Sequence, residues 1–176
     1  MIATRAESAE DVDAVHGVTA RAFGREQVVQ LVSELRQGPA RLSLVACSDD
    51  GAVVGHTMLS RGWVDAPRNL VDVLVLSPLS VDPPVQRQGI GSTLVRAALD
   101  AAASLGAPAV FLEGSPDYYR RFGFEPGAAR GFTPPSVRIP GPGFQVVVLP
   151  AWQDWMTGAL VYPDAFWALD KVGLRS

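Results

Sequence analysis

The chain has one cysteine, Cys47, and one lysine, Lys171, among its 15 basic residues. A single thiol excludes an internal disulfide framework. The skew from lysine to arginine reads as compositional bias and carries no mechanism. No apolar run approaches the ~18 residues that a spanning helix needs. The opening stretch Met1–Glu7 lacks the apolar core of a signal peptide. A cytoplasmic protein without a membrane partner is therefore the expectation. The two histidines, His16 and His56, are scattered relative to each other and to Cys47. They lack ligand spacing, so no metal is expected. No serine or cysteine has recognisable partners for nucleophilic catalysis. A net charge of −3 argues against a nucleic-acid binder that relies on a broad basic face.

What is present supports one folded α/β domain across residues 1–176. The chain is long enough for a real core, and 48% of it is hydrophobic. Ile2–Arg5 reads as a short strand. Ser8, with Asp11 three residues on, reads as a loose capping box. Val12, Val15, Val18, Ala22 and Phe23 then recur at helical spacing. A second helix is predicted over 26–36, with Val28, Leu31, Val32 and Leu35 on one face and Gln37-Gly38-Pro39 ending it. Leu42–Cys47 and Ala52–Trp63, joined by Asp49-Asp50-Gly51, read as a hairpin. Val71–Leu76 is the next strand, with Ser77–Val81 as its continuation past Pro78. A strand over 109–112 and a closing strand over 144–149 follow. Pro126–Gly143 reads as a long Pro- and Gly-rich loop. The core is expected over 1–150. Residues 151–176 read as an aromatic tail (Trp152, Trp155, Tyr162, Phe166, Trp167) packed on the core or on a partner, which suits a homodimer.

The most informative stretch is Gln86-Arg87-Gln88-Gly89-Ile90-Gly91. It lies between the apolar run Val71–Val81 and an apolar-periodic segment, Leu94–Leu105. That places a glycine-rich turn between a strand and a helix. Backbone N–H groups at a helix start are unpaired, and the helix dipole adds partial positive charge. Glycines let a ligand approach that backbone, so the turn reads as a phosphate site. The dinucleotide-binding pattern would need a third glycine where Leu94 stands, and the nucleoside-triphosphate loop would need a nearby lysine. What remains is Gln/Arg-x-x-Gly-x-Gly. A second segment, Asp117-Tyr118-Tyr119-Arg120-Arg121-Phe122-Gly123-Phe124, stands after the strand that follows the loop helix.

On these two segments the chain resembles the GCN5-related N-acetyltransferase (GNAT) superfamily, from roughly residue 2 to residue 149. It is most similar to the YhbS-like predicted N-acetyltransferases. The resemblance implies a mixed, mostly antiparallel sheet with helices on both faces and a splayed central strand pair, with the thioester arm of the cofactor in the splay. It implies acetyl coenzyme A as co-substrate and an amine as acceptor. Residues Gln86, Arg87, Gln88, Gly89, Ile90, Gly91 and Ser92 would hold the pyrophosphate. The backbone of Leu79, Ser80 and Val81 would hold the pantetheine arm and polarise the thioester carbonyl.

Tyr119 would protonate the departing thiolate, since a phenol with an ordinary pKa near 10 is a donor at neutral pH. Tyr118 would pack or touch substrate, and Phe122 and Phe124 would be core. Some members carry a catalytic glutamate on the strand before the loop. That position falls on Val75 here, leaving Asp72, Glu113, Glu26 or water alone as the base. Ser115 either donates to a ligand or caps the helix beginning at Pro116. His16 and His56 read as structural or exposed. Direct transfer in a ternary complex is the expected route. The alternatives are transfer of another acyl group, or a non-catalytic acyl-coenzyme A sensor or scaffold. Substrate walls are expected from residues 23–37, the 126–143 loop and the aromatic tail.

Overall fold

Chain reversals build most of the sheet, beginning at the turn where Gly51 adopts a φ of 84°. The computed structural model describes residues 2–174. Strands β1 (Ala3–Ala6), β2 (Ala40–Cys47) and β3 (Val53–Asp65) pair antiparallel in the order β1-β2-β3. Contacts divide the chain into two units, Met1–Ser60 with Leu76–Asp100, and Arg61–Val75 with Ala101–Ser176. Strands β3 and β4 (Leu70–Val81) and helix α3 (Ile90–Ser104) supply residues to both.

In the first unit Ser8 and Asp11 open the helical segment as their spacing predicts. The Ser8 N–H and hydroxyl both donate to the Asp11 carboxylate, at 2.7 and 2.8 Å. Arg5 grips the same carboxylate with two nitrogens, at 2.6 and 2.8 Å. Helix α1 (Val12–Phe23) buries Val15 and Val18, and α2 (Glu26–Gln37) buries Val28, Val29, Leu31, Val32 and Leu35. Phe23, expected on the apolar face, is 41% exposed at the C-terminal end of α1. Gly55 on β3 brings α3 close. A Cβ there would lie 3.0 Å from both Ile90 Cγ2 and Leu94 Cδ1.

In the second unit the start of β4 pairs parallel with β5 (Ala109–Glu113) at two registers, Leu74↔Val110 and Val75↔Phe111. β8 (Phe144–Val148) pairs antiparallel with β5 and with β6 (Glu125–Pro126). β9 (Gly158–Val161) pairs antiparallel with the end of β3 and parallel with β7 (Phe132–Thr133). The Phe111 ring meets Phe132 edge-on at 4.9 Å and stacks on Phe144 at 5.8 Å, which fixes the aromatic core.

The architecture is the mixed, mostly antiparallel α/β sheet with helices that the sequence predicts. β4 runs through Pro78 to Val81 without a break. Two expectations change in detail. The 126–143 segment is not open loop, because β7 anchors it and Phe132 is buried. The aromatic segment after Ala151 supplies β9 and α5 (Asp164–Ala168), with Tyr162 and Phe166 buried against each other at 4.8 Å. The last residues of that segment, Arg175 and Ser176, lie outside the described residues. No described helix is long and apolar enough to cross a membrane.

Candidate active site

The glycine-rich turn has the backbone that its sequence implies. Gly89 sits at φ +88° and opens α3, its carbonyl accepting the Thr93 N–H at 3.0 Å. Gly89 therefore stands where a helix cap stands, and the N–H groups of Ile90, Gly91 and Ser92 have no acceptor within the helix. Nothing lies within 4 Å of a Cβ built on Gly89, so the space over the turn is open. Arg87 also adopts a positive φ, 61°, uncommon for a side-chain-bearing residue and a further mark of a tight turn. Gln86 turns back, its amide nitrogen donating to the Val81 carbonyl at 3.0 Å, which staples the turn to β4. Arg87, Gln88 and Gly89 are exposed, whereas Ile90 is buried in the unit's core.

Along the end of β4, Leu79 and Val81 are half-buried and Ser80 is fully buried. The Ser80 hydroxyl donates to Thr19 of α1 at 3.3 Å. The Ser80 hydroxyl is thus occupied within the unit, which leaves its backbone. A bidentate pair, Arg21 to Asp82 at 2.8 and 2.9 Å, ties α1 to the residue that precedes the turn.

Tyr119 belongs to the second unit, in the short helix α4 (Pro116–Tyr119). Ser115 occupies the cap position of α4, but its hydroxyl makes no capping bond. Its carbonyl accepts the N–H groups of Tyr118 and Tyr119, both at 3.1 Å. The Tyr119 ring meets Tyr118 edge-on at 4.8 Å and Phe124 at 5.8 Å. Burial raises the Tyr119 pKa above its ordinary value, with Tyr118 adding to the effect. The phenol is thus a proton donor throughout the neutral range. Phe124 is buried as predicted, whereas Phe122 is half-exposed and leans on Tyr118.

Residues 13–124 match the model of the Acetyltransferase (GNAT) family. The chain belongs to the GNAT family. The protein named uncharacterized N-acetyltransferase YjhQ of Escherichia coli (strain K12) is 33% identical over 133 residues, 74% of this chain and 73% of that one. Its counterpart YhbS is 34% identical over 122 residues, 69% of this chain and 72% of that one. The crystal structure of Escherichia coli YhbS in complex with CoA superposes with a TM-score of 0.84 at 30% identity, covering 94% and 91% of the two chains. A GNAT family acetyltransferase from Brucella melitensis in complex with acetyl-CoA gives 0.77 at 30% identity, covering 94% and 98%. This chain is accordingly an acyltransferase of GNAT type.

Three carboxylates of this GNAT enzyme, Asp72, Glu26 and Glu113, differ in their surroundings. Asp72 is exposed and held by Arg61 at 2.8 and 2.9 Å. Glu26 stands exposed in the first turn of α2. Glu113 accepts the Tyr162 hydroxyl at 3.0 Å and the Gly173 N–H at 3.1 Å. Burial pushes the Glu113 carboxyl up, against the lowering effect of those two hydrogen bonds. Val75 is a core residue. No group of three or more metal-ligating side chains occurs among the described residues.

One polar cluster was not legible in the sequence. In the first unit Arg36 reaches the Glu7 carboxylate at 2.6 Å, and Ser43 donates to its other oxygen. The Ser43 hydroxyl also lies 2.8 Å from His56 Nε2, which is 3.7 Å from Glu7. His56 is wholly buried, and burial lowers its pKa, so the ring is neutral. Its Nδ1 has no partner, a smaller penalty for a bare acceptor than for a charged ring. Burial also works against the Glu7 charge, but the nearby His56 ring, the Ser43 hydrogen bond and the Arg36 charge hold its pKa at about 2. The cluster joins the residue after β1 to β2, β3 and α2 and is structural. His56 is thus a buried structural residue, one of the two readings its sequence allows.

Proposed function

We propose that this acetyltransferase moves an acetyl group from acetyl-CoA to a primary amine by direct transfer in a ternary complex. The observation that carries the reading is the Gly89 turn. A left-handed glycine under open space starts a fifteen-residue helix whose first N–H groups lack helical acceptors. Those donors suit a pyrophosphate, with Arg87 adding charge and Ser92 a hydroxyl. The CoA and acetyl-CoA bound to the YhbS and Brucella melitensis proteins support that ligand.

The chemistry divides among this chain's groups. Backbone amides of Leu79–Val81 hold the pantetheine arm, and one of them polarises the thioester carbonyl. The neutral amine attacks the carbonyl carbon, forming the C–N bond as the C–S bond breaks. The leaving sulfur takes the Tyr119 phenol proton, and the proton lost from nitrogen passes to water. Water is favoured over Asp72, which Arg61 engages, and over Glu113, which Tyr162 and Gly173 engage.

The test is Tyr119→Phe, assayed by thiol release and by calorimetric titration with acetyl-CoA. Turnover should fall on the order of 10²–10⁴-fold, with acetyl-CoA affinity nearly unchanged. A fully active variant would remove Tyr119 from its role.

A further inference from the structure

We infer that Gly114 is a positioning residue for Tyr119: the side chain it lacks is the space in which the phenol ring sits. A Cβ built on Gly114 would lie 2.5 Å from Tyr119 Cε2 and 3.0 Å from Cδ2. The backbone gives no other reason for glycine here, because Gly114 is not among the glycines with positive φ. The requirement is steric, and it comes from one ring.

The backbone of Gly114 is the fixed partner, so the ring is the one that must move. Gly114 continues the β5–β8 ladder past Glu113↔Phe144. Its N–H donates to the Gly143 carbonyl at 3.0 Å, and its carbonyl accepts Gln145 Nε2 at 2.9 Å. Gln145 is itself 1% exposed, so the bond is sheltered from water. On the other side the Tyr119 ring rests against Phe124, which is 3% exposed, and against Tyr118. A methyl group at position 114 must therefore shift the ring by about 1 Å to restore ordinary contact at ~3.5 Å. A displacement of that size in a reacting group costs on the order of 10²-fold in rate.

The inference deepens the reading of Tyr119 as proton donor and rests on it for its catalytic consequence. Gly114→Ala should lower kcat on the order of 10²-fold, with acetyl-CoA affinity unchanged within about twofold. Gly114→Ala/Tyr119→Phe should turn over no more slowly than Tyr119→Phe alone, since a misplaced ring without its hydroxyl has nothing left to lose. Wild-type kcat in Gly114→Ala, or equal losses from the alanine in both backgrounds, would overturn the inference.

Stability reads the steric part independently of catalysis. Gly114→Ala should lower the melting temperature in the native background and leave it unchanged in a Tyr119→Ala background, where the ring is absent. An equal drop in both backgrounds would show that the ring is not what excludes a side chain. Should Tyr119→Phe prove fully active while the melting-temperature difference persists, the positioning stands and the catalytic role of Tyr119 fails.

Discussion

Glu7→Gln removes one charge from the buried cluster while keeping the shape of the side chain. Its cost can be worked from the carboxyl pKa, which is lowered from 4.5 to about 2 in the folded chain. Each unit corresponds to about 1.36 kcal/mol, so ionised Glu7 contributes on the order of 3 kcal/mol at pH 7. That agrees with the 3–5 kcal/mol typical when one partner of a buried ion pair is removed. The pH dependence follows from the sign of the shift. A depressed carboxyl pKa gives stability that is present above about pH 4.5 and lost as the pH falls toward 2.

His56 acts in the same direction over a higher window. Burial lowers its pKa from 6.5, so stability falls as the pH drops below the ordinary histidine value. Urea unfolding, chosen because urea does not screen charge, should show wild type ahead of Glu7→Gln by about 3 kcal/mol at pH 7 and by about half that at pH 3. A gap under about 1 kcal/mol at pH 7, or one that does not shrink at pH 3, would refute the reasoning.

Two further substitutions test the cofactor turn. Gly89→Ala and Gly89→Glu share the strain of a side chain at φ +88°, so their difference reports the longer, negatively charged side chain. The glutamate variant should lose acetyl-CoA binding while alanine retains a measurable part of it, and equal affinities by calorimetry would remove the turn from the site. Gly55→Val should overpack the β3–α3 contact, where a Cβ already meets Ile90 and Leu94 at 3.0 Å. The expected cost is 1–3 kcal/mol, read as a melting temperature lower by roughly 2–10 °C, and an unshifted melting curve would show that α3 gives way freely.

The backbone of the two candidate site segments was legible because its signals are local. Gln86–Gly91 and Asp117–Phe124 each place glycines, a strand end and a helix start within a few residues, and the backbone follows from that order. Helices α1 and α2 were readable from apolar periodicity, with Phe23 the exception where the helix face runs out into solvent. The hairpin β2–β3 was fixed by its turn. The Glu7 cluster was not readable, because Arg36 and Ser43 lie 29 and 36 residues from Glu7 and periodicity carries no record of cross-strand neighbours. The pairing of β7 with β9 escaped notice for a related reason. Strands of two and four residues carry no alternation of their own, and their pairing partners lie far away in the chain. Gly114 carries no local signal, since its constraint comes from a ring five residues away and not from its own backbone.

The central claim is that the Gly89 turn binds the coenzyme A pyrophosphate for transfer to an amine. A calorimetric titration of the purified protein with acetyl-CoA, followed in the same preparation by thiol release across a panel of primary amines, tests it most directly. Stoichiometric binding and release of free thiol on at least one amine class are the expected results. Absence of binding would contradict the assignment of Gln86–Ser92, and binding without release on any amine would contradict the proposed transfer.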